Sequence, residues 1–205
     1  MPAITVSRQL GSGGAEIASM LAAKLGYRLV GKEIIDEVAS RLGVSPVIAR
    51  NLDEVGYDWA GELVRELMLG FQGVSLTRES YQLVASRVIR EAHARENCVF
   101  LGRAAQVVLA GKSDVFHVHI VAPIEDRVAR IRARDHVDTA TALDRIRNSD
   151  QARQRYIWAA GQVQWDDPTI YDLVINTHRL PVSASVDIVV EAADKSGALS
   201  SAAKR

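Results

Sequence analysis

The feature of this sequence that most constrains its fold is a glycine-rich segment near the start of the chain. The apolar run Ala3–Val6 is followed by the residues SRQLGSGGAEIA, which span Ser7–Ala18. Gly11, Gly13 and Gly14 can adopt positive φ angles without a Cβ penalty, so the backbone can turn tightly from a strand into a helix. The N–H groups of such a turn and the positive end of the following helix dipole both favour an anion. The segment therefore predicts a phosphate-binding loop.

Two known loop patterns can be compared with this segment. The P-loop pattern G-x-x-x-x-G-K-[ST] places a lysine on the phosphates and a hydroxyl on Mg²⁺, and in this register those positions hold Gly14 and Ala15. The dinucleotide-binding pattern G-x-G-x-x-G matches Gly11-Ser12-Gly13 but needs a third glycine where the chain has Glu16. A structural turn without a ligand also stays open. The position at the first strand-to-helix turn favours phosphate binding, with Ser12 in the loop.

Composition narrows the class of protein. The chain has 205 residues, of which 48% are hydrophobic, and a formal net charge of zero. That charge gives no global attraction to nucleic acid or to an anionic membrane. The single cysteine, Cys98, lies in an apolar run and predicts a buried, inert thiol. Without a secretory signal or a bilayer-length apolar stretch, we expect a cytoplasmic protein that binds neither nucleic acid nor membranes.

Strand and helix signals alternate along the chain. Apolar runs at Cys98–Leu101, Val115–Ala122 and Leu173–Asn176 indicate buried strands, and helical periodicity lies between them, beginning with a helix at about Gly14–Leu25. Such alternation predicts an α/β fold with a parallel sheet and helices on both faces. Residues 195–205 are rich in Ser, Ala and Lys, which predicts a disordered tail.

Cationic residues follow the predicted strands. Arg103 comes directly after the strand that ends at Leu101, and Lys32 comes just after a short strand that ends at Val30. Because ligands bind at the carboxyl edge of such sheets, both cations are candidates for contacts with an anionic substrate. The alternative for Arg103 is an ordinary arginine at the start of a helix.

An arginine-rich segment follows the strand at Val115–Ala122. Arg127, Arg130 and Arg134 are spaced to share one helix face, with Ala129 expected on the packed face. They indicate either a solvated, salt-bridged surface or a phosphate clamp, and as a group they favour the clamp.

Other polar groups allow two interpretations each. Asp150 and Arg153 can pair structurally or divide contacts between nucleotide and metal. His117 and His119 share a strand face, but no third ligand has a telling spacing, which favours structural histidines over a metal pair. The carboxylates of Asp166-Asp167 fit a turn better than a magnesium site. The metal ligands stay undetermined.

The chain as a whole resembles the cytidylate-kinase-like family, a branch of the P-loop nucleoside monophosphate kinases. The segments that carry the resemblance cover roughly residues 3–192 and read, in order, SRQLGSGGAEIA, LAAKLGYRLVGKEIIDEVA, VFLGRAAQVVL, HIVAPIEDRVARI, DQARQRY and YDLVINT. The resemblance implies a three-layer α/β/α parallel sheet in a kinase-like domain at 1–194. It also implies a helical monophosphate-binding insertion at 44–97 and a lid at 132–155.

The resemblance also implies a function and a site. The expected reaction is ATP-dependent phosphoryl transfer to a nucleoside monophosphate or another small phosphate acceptor, with ATP and Mg²⁺ as cofactors; a homo-oligomer is left open. Phosphate-loop contacts carry over to Gly11, Ser12, Gly13 and Gly14, Gly102-Arg103 matches the monophosphate-binding Gly-Arg of the family, and Asp150 and Arg153 match its lid pattern. Beyond the resemblance, we expect Arg8 to join the phosphate contacts, and Lys32, Arg134 and Arg153 to stabilise charge during transfer.

The chain departs from cytidylate kinases at three matched positions. Those enzymes carry Lys and Ser/Thr where this chain has Gly14 and Ala15, and Asp where it has Ala104. Because phosphoryl transfer depends on cations placed against developing charge, Arg8 or Lys32 would have to compensate. The alternatives are a catalytically weak nucleotide-binding sensor and, less favoured, a dinucleotide-binding oxidoreductase.

Overall fold

The computed structural model describes residues 1–52 and 78–199 and is organised around a parallel sheet. Its five strands lie in the order β2-β3-β1-β4-β5, and all neighbouring pairs are parallel. The strands are β1 (Ala3–Arg8), β2 (Arg28–Val30), β3 (Cys98–Leu101), β4 (Val115–Val121) and β5 (Leu173–Asn176).

The central strand β1 explains where a ligand can bind. It pairs with β3 on one side, where Val6 lies opposite Leu101, and with β4 on the other, where Ser7 lies opposite His119. Because all strands run the same way, the segments that leave β1 and β3 meet at one edge of the sheet. That edge is where ligands bind in open α/β sheets.

Helices connect the strands and cover both faces of the sheet. In chain order the helices of the described residues are α1 (Gly14–Leu25), α2 (Glu33–Leu42), α3 (Pro46–Leu52), α4 (Arg78–Arg95), α5 (Ala105–Val108), α6 (Ile124–Asp135), α7 (Thr139–Gly161) and α8 (Val182–Lys195), with a short 3₁₀ helix at Pro168–Ile170. The predicted first helix is confirmed at both ends. None of these helices is long and apolar enough to cross a membrane.

Two apolar cores lie on opposite faces of the sheet. Alternate residues of β1 point to opposite sides, so Ile4 packs with Leu21 of α1 and Val189 of α8. On the other face Phe100 of β3 packs with residues from α2, α4 and α7, among them Ile89. This arrangement of helices, sheet and helices confirms the predicted three-layer α/β/α fold.

Other expectations about the chain can be compared with these elements. Cys98 is fully buried, and burial raises the pKa of its thiol to about 11, which fits the predicted inert core residue.

The predicted insertion at 44–97 contains α3 and α4, whereas residues 53–77 lie outside the described residues. The prediction of a disordered tail at 195–205 is wrong at the start of that segment. Ala198 is only 3% exposed and packs on the core beside α8.

Candidate functional site

The glycine-rich segment forms a tight loop between β1 and α1. Gly11 and Gly13 adopt φ angles of 81° and 83°, and Gly13 is the residue that caps the start of α1. Gly13 provides no side-chain cap for this helix end. The first N–H groups of a helix have no partner within the helix, so this end of α1 can bind an anion.

One side of the loop is tied to the arginine-rich helix and to α7. The backbone N–H of Leu10 donates to Oδ1 of Asp150 at 3.1 Å, and the carbonyl of Leu10 accepts from Nε of Arg127 at 2.7 Å. Arg127 also forms an ion pair with Asp150. A Cβ at Gly11 would lie 2.8 Å from the Arg127 carbonyl oxygen, so only glycine fits between the loop and α6.

The other side of the loop is held by the segment after β5. The Thr177 hydroxyl donates to the carbonyl of Ser12 at 2.8 Å, and Arg130 donates to the carbonyl of Gly11 at 3.2 Å and to that of Thr177 at 2.9 Å. The Ser12 hydroxyl donates to the carbonyl of Gln9 at 2.9 Å. Ser12 is fully buried, so its side chain shapes the loop from within.

A cleft of about 410 Å³ opens over the loop, and we call it the loop cleft. Its lining combines loop backbone with cationic side chains from three elements. The lining residues are Arg8, Gln9, Leu10, Gly11, Gly13, Gly14, Ala15, Glu16, Arg130, Ile131, Arg134 and Arg153. The structure thus brings together most of the residues that were predicted to contact phosphates.

Arg103 lies next to this group in an unusual backbone conformation. Gly102, Arg103 and Ala104 all have positive φ angles, of 74°, 61° and 54°. For residues with a Cβ such angles are costly and are concentrated at functional sites. Arg103 is only 7% exposed, and its pKa is lowered to about 10, first by burial and then by the charges of Arg8 and Arg153.

That cluster of cations indicates what the site can bind. The charges of Arg8 and Arg153 disfavour the charged form of Arg103, and an anion bound beside these groups would offset that repulsion. Arginine also matches phosphoryl oxygens in shape and stays charged at neutral pH. The loop cleft, lined by Arg8 and Arg153 with Arg103 close enough to sense their charges, therefore suits a phosphate group.

The other predicted cations lie in different surroundings. Arg134 lines the loop cleft, but it is exposed and donates two hydrogen bonds to Asp135, at 2.6 and 3.0 Å. Arg145 donates to the same carboxylate, and these arginines lower the pKa of Asp135 to about 2. Lys32 is exposed at the start of α2 and is not among the residues that line the cleft.

The described residues offer no ready-made metal site. They contain no group of three or more His, Cys, Asp or Glu side chains placed to hold an ion. Both carboxylate oxygens of Asp150 accept hydrogen bonds, Oδ1 from Leu10 and Arg153 and Oδ2 from Arg127. Asp167 caps the 3₁₀ helix through Thr169, as expected for a turn. A dedicated protein cage for Mg²⁺ therefore does not fit these residues.

The two strand histidines are packed into the fold. His117 shares a hydrogen bond of 2.8 Å with the Thr5 hydroxyl. His119 stacks on Tyr171 with ring centroids 4.7 Å apart and meets the edge of Trp165. Both histidines are buried, and burial lowers the pKa of each, that of His119 to about 4. These surroundings fit the structural interpretation.

Sequence reasoning missed two residues that hold the loop. Arg127 was expected to share one helix face with Arg130, opposite a packed face that includes Ala129, but Arg127 is 5% exposed and Ala129 is exposed. The expectation was wrong because a buried arginine is stabilised here by Asp150 and by the Leu10 carbonyl. Thr177 was also missed, although its place directly after β5 puts it at the ligand-binding edge.

Comparison with known proteins places the chain in a family. The model of the cytidylate kinase-like family matches residues 3–179. The chain belongs to the cytidylate kinase-like family. Among its curated relatives, the cytidylate kinase of Ignicoccus hospitalis is 26% identical over 195 residues, which cover 92% of this chain and 97% of the relative. The cytidylate kinase of Archaeoglobus fulgidus is 25% identical and covers 93% of this chain and 94% of its own length.

Solved structures support the fold of this family member. An uncharacterized protein from Eubacterium ventriosum superposes with a TM-score of 0.72 at 22% identity, covering 95% of this chain and 99% of its own. Shikimate kinase from Bacteroides thetaiotaomicron superposes with a TM-score of 0.54 at 13% identity, covering 94% of this chain and 98% of its own. Both likenesses concern the fold.

Proposed function

We propose that this chain transfers the γ-phosphoryl group of ATP to a nucleoside monophosphate, with CMP as the first acceptor to test. The observation that carries the proposal is the juxtaposition of an anion-binding helix end with Arg8, Arg103 and Arg153. Such transfer needs little covalent chemistry from the protein, which has to align two anions and stabilise charge between them.

The residues divide the work as follows. The backbone of residues 11–14 holds the phosphates of ATP, and Arg103, at the end of β3, holds the phosphate of the acceptor. Arg153 lies in the loop cleft and is 4% exposed, so it meets charge in a poorly solvated space where each contact is worth more than in water. Arg134 reaches the same cleft from α6.

Mg²⁺ enters this proposal bound to the triphosphate. Mg²⁺ commonly takes most of its ligands from substrate phosphates and water, with one or two carboxylates from the protein. Glu16 is the carboxylate that lines the loop cleft within the described chain. When bound, the ion would neutralise charge on the phosphate oxygens.

A second function is favoured by the loop itself. Gly14 and Ala15 provide neither the lysine nor the hydroxyl of the P-loop pattern. A chain that binds nucleotide but transfers phosphoryl groups poorly would act as a sensor. Lid closure over residues 132–155 stays a prediction for either function, and a catalytic role for Lys32 stays one for the kinase.

Single-turnover transfer from labelled ATP distinguishes the two functions. Excess protein is mixed with ATP, Mg²⁺ and one of CMP, dCMP, UMP, AMP or GMP, and products are separated by charge. We expect labelled diphosphate with CMP. Saturable ATP binding without product from any acceptor would establish the sensor, and the absence of both binding and product would refute both functions.

A further inference from the structure

The loop of this chain contains an exchange of positions relative to the P-loop pattern. When the pattern G-x-x-x-x-G-K is aligned on its second glycine with Gly13, its first glycine falls on Arg8 and its lysine falls on Gly14. The chain thus carries a cation where the pattern has glycine, and glycine where the pattern has a cation. The exchange preserves one cation and one glycine at the two ends of the same turn.

The structure explains why the two changes go together. A Cβ at Gly14 would lie 2.4 Å from Cβ of Arg8 and 3.1 Å from its Cγ. Atoms of this kind do not approach so closely, and the Cβ of Arg8 cannot swing away because it is fixed to the backbone of β1. The stem of Arg8 therefore occupies the space in which a side chain at Gly14 would begin.

The charge of Arg8 is also directed to the site. Arg8 lines the loop cleft together with Gly11, Gly13 and Gly14. Its charge is the largest electrostatic contribution to the lowered pKa of Arg103, so the two guanidinium groups are held near one another. Arg8 thus reaches the cleft from the opposite end of the turn to the one from which a P-loop lysine starts.

We propose that Arg8 is the cation of this phosphate-binding loop and takes over the contact with the outer phosphates that the pattern assigns to lysine. The triphosphate as ligand rests on the proposed function, whereas the exchange of Arg8 and Gly14 rests on the geometry. Arginine presents a planar set of donors to phosphoryl oxygens, so the contact is bidentate rather than a point charge.

Equilibrium binding of ATP with Mg²⁺ tests the charge. Arg8→Met keeps the stem and removes the charge, Arg8→Lys keeps a charge, and Arg90→Ala on the exposed side of α4 is the matched control. We expect Arg8→Met to weaken binding at least tenfold, Arg8→Lys to weaken it less, and Arg90→Ala to leave it within twofold. Binding by Arg8→Met within twofold of the parent chain would overturn the proposal.

The exchange itself is tested by moving the cation back. Arg8→Gly and Gly14→Lys are made singly and together, and we expect the double variant to bind ATP at least tenfold more tightly than either single variant. Thermal unfolding checks the packing without any ligand, because Gly14→Ala should lower the melting temperature much less when residue 8 is glycine. A double variant that binds no better than Arg8→Gly, or equal losses of melting temperature in both backgrounds, would overturn the exchange.

Inorganic tripolyphosphate separates failure of this inference from failure of the proposed function. Binding of tripolyphosphate that depends on Arg8, without binding of ATP, would refute the nucleotide kinase and support the cation. Tight binding of ATP that is insensitive to Arg8→Met would refute the role of Arg8 and leave nucleotide binding intact. A parent chain that binds neither compound refutes both.

Discussion

The carboxylate of Asp150 accepts a hydrogen bond from the backbone N–H of Leu10 at 3.1 Å, across 140 positions of sequence. The same carboxylate pairs with Arg127 and with Arg153. Asp150 therefore links helix α7 directly to the turn that precedes Gly11. A residue that was predicted to contact the nucleotide thus holds the loop, and it also orients Arg153, which lines the loop cleft.

Replacing Asp150 with alanine should weaken both the fold and the site. Arg127 is only 5% exposed and would keep its charge without a partner, which is costly in a buried position. We expect Asp150→Ala to lower the free energy of unfolding by at least about 2 kcal/mol and to weaken ATP binding. Urea unfolding and calorimetry measure the two effects.

The matched control for this variant is Asp144→Ala, which removes an exposed carboxylate from the same helix. It should change the free energy of unfolding by less than about 0.5 kcal/mol. Asp150→Asn keeps one acceptor oxygen but loses the other and the charge, and it should fall between the two. Equal stability of Asp150→Ala and Asp144→Ala would show that the carboxylate does not anchor the loop.

The sequence allowed the layers and the loop to be predicted because these depend on local patterns. Gly11 and Gly13 have the positive φ angles that a strand-to-helix turn requires. The helix at Gly14–Leu25 shows the apolar periodicity of a face that packs on the sheet. Signals of this kind involve residues that are close in sequence.

The supports of the loop could not be predicted because they join distant segments. Arg127 contacts Leu10 across 117 positions, and Thr177 contacts Ser12 across 165. Helical spacing alone placed Arg127 on one face with Arg130 and Arg134, since nothing local indicates a buried partner. The steric exclusion between Arg8 and Gly14 also depends on the turn bringing residues six apart into contact.

Gly11 should be intolerant of a side chain for two separate reasons. Its φ angle of 81° disfavours alanine, and a Cβ would lie 2.8 Å from the carbonyl oxygen of Arg127. We expect Gly11→Ala to lower the free energy of unfolding by about 2–4 kcal/mol, of which about 1 comes from the φ angle. Chemical unfolding measures the loss.

Gly111 provides the matched comparison. It has a similar φ angle of 75°, but no atom lies within 4 Å of the Cβ that alanine would add. Gly111→Ala should therefore show the backbone cost alone, about 1 kcal/mol. Equal losses from the two variants would mean that the loop moves away from α6 without penalty.

Removing the charge of Arg103 should weaken binding of the acceptor without lowering the melting temperature. Burial and the charges of Arg8 and Arg153 disfavour the charged form in the folded chain, which is why its pKa is lowered to about 10. We expect Arg103→Met to melt no lower than the parent chain, and to raise the KM for CMP at least about tenfold because a charge-assisted hydrogen bond is lost.

The control for that variant is Arg103→Lys, which keeps a charge at the same strained backbone position. It should recover part of the affinity for the acceptor while the KM for ATP changes little. Steady-state kinetics with each substrate varied in turn gives both constants. An unchanged KM for CMP in Arg103→Met would remove Arg103 from the acceptor site.

His119 should make the fold sensitive to mild acid. Its pKa is lowered to about 4 by burial, whereas an unfolded histidine has a pKa near 6.5. The unfolded chain therefore binds this proton first as the pH falls. The contribution of His119 to the free energy of unfolding is fully present above about pH 6.5 and is lost as the pH falls towards 4, by up to about 1.4 kcal/mol per pH unit.

His119→Phe keeps a ring between Tyr171 and Trp165 and removes the titration. Urea unfolding from pH 7.5 to 4.5 should show a shallower loss for His119→Phe than for the parent chain, and parallel curves would mean that other groups account for the loss.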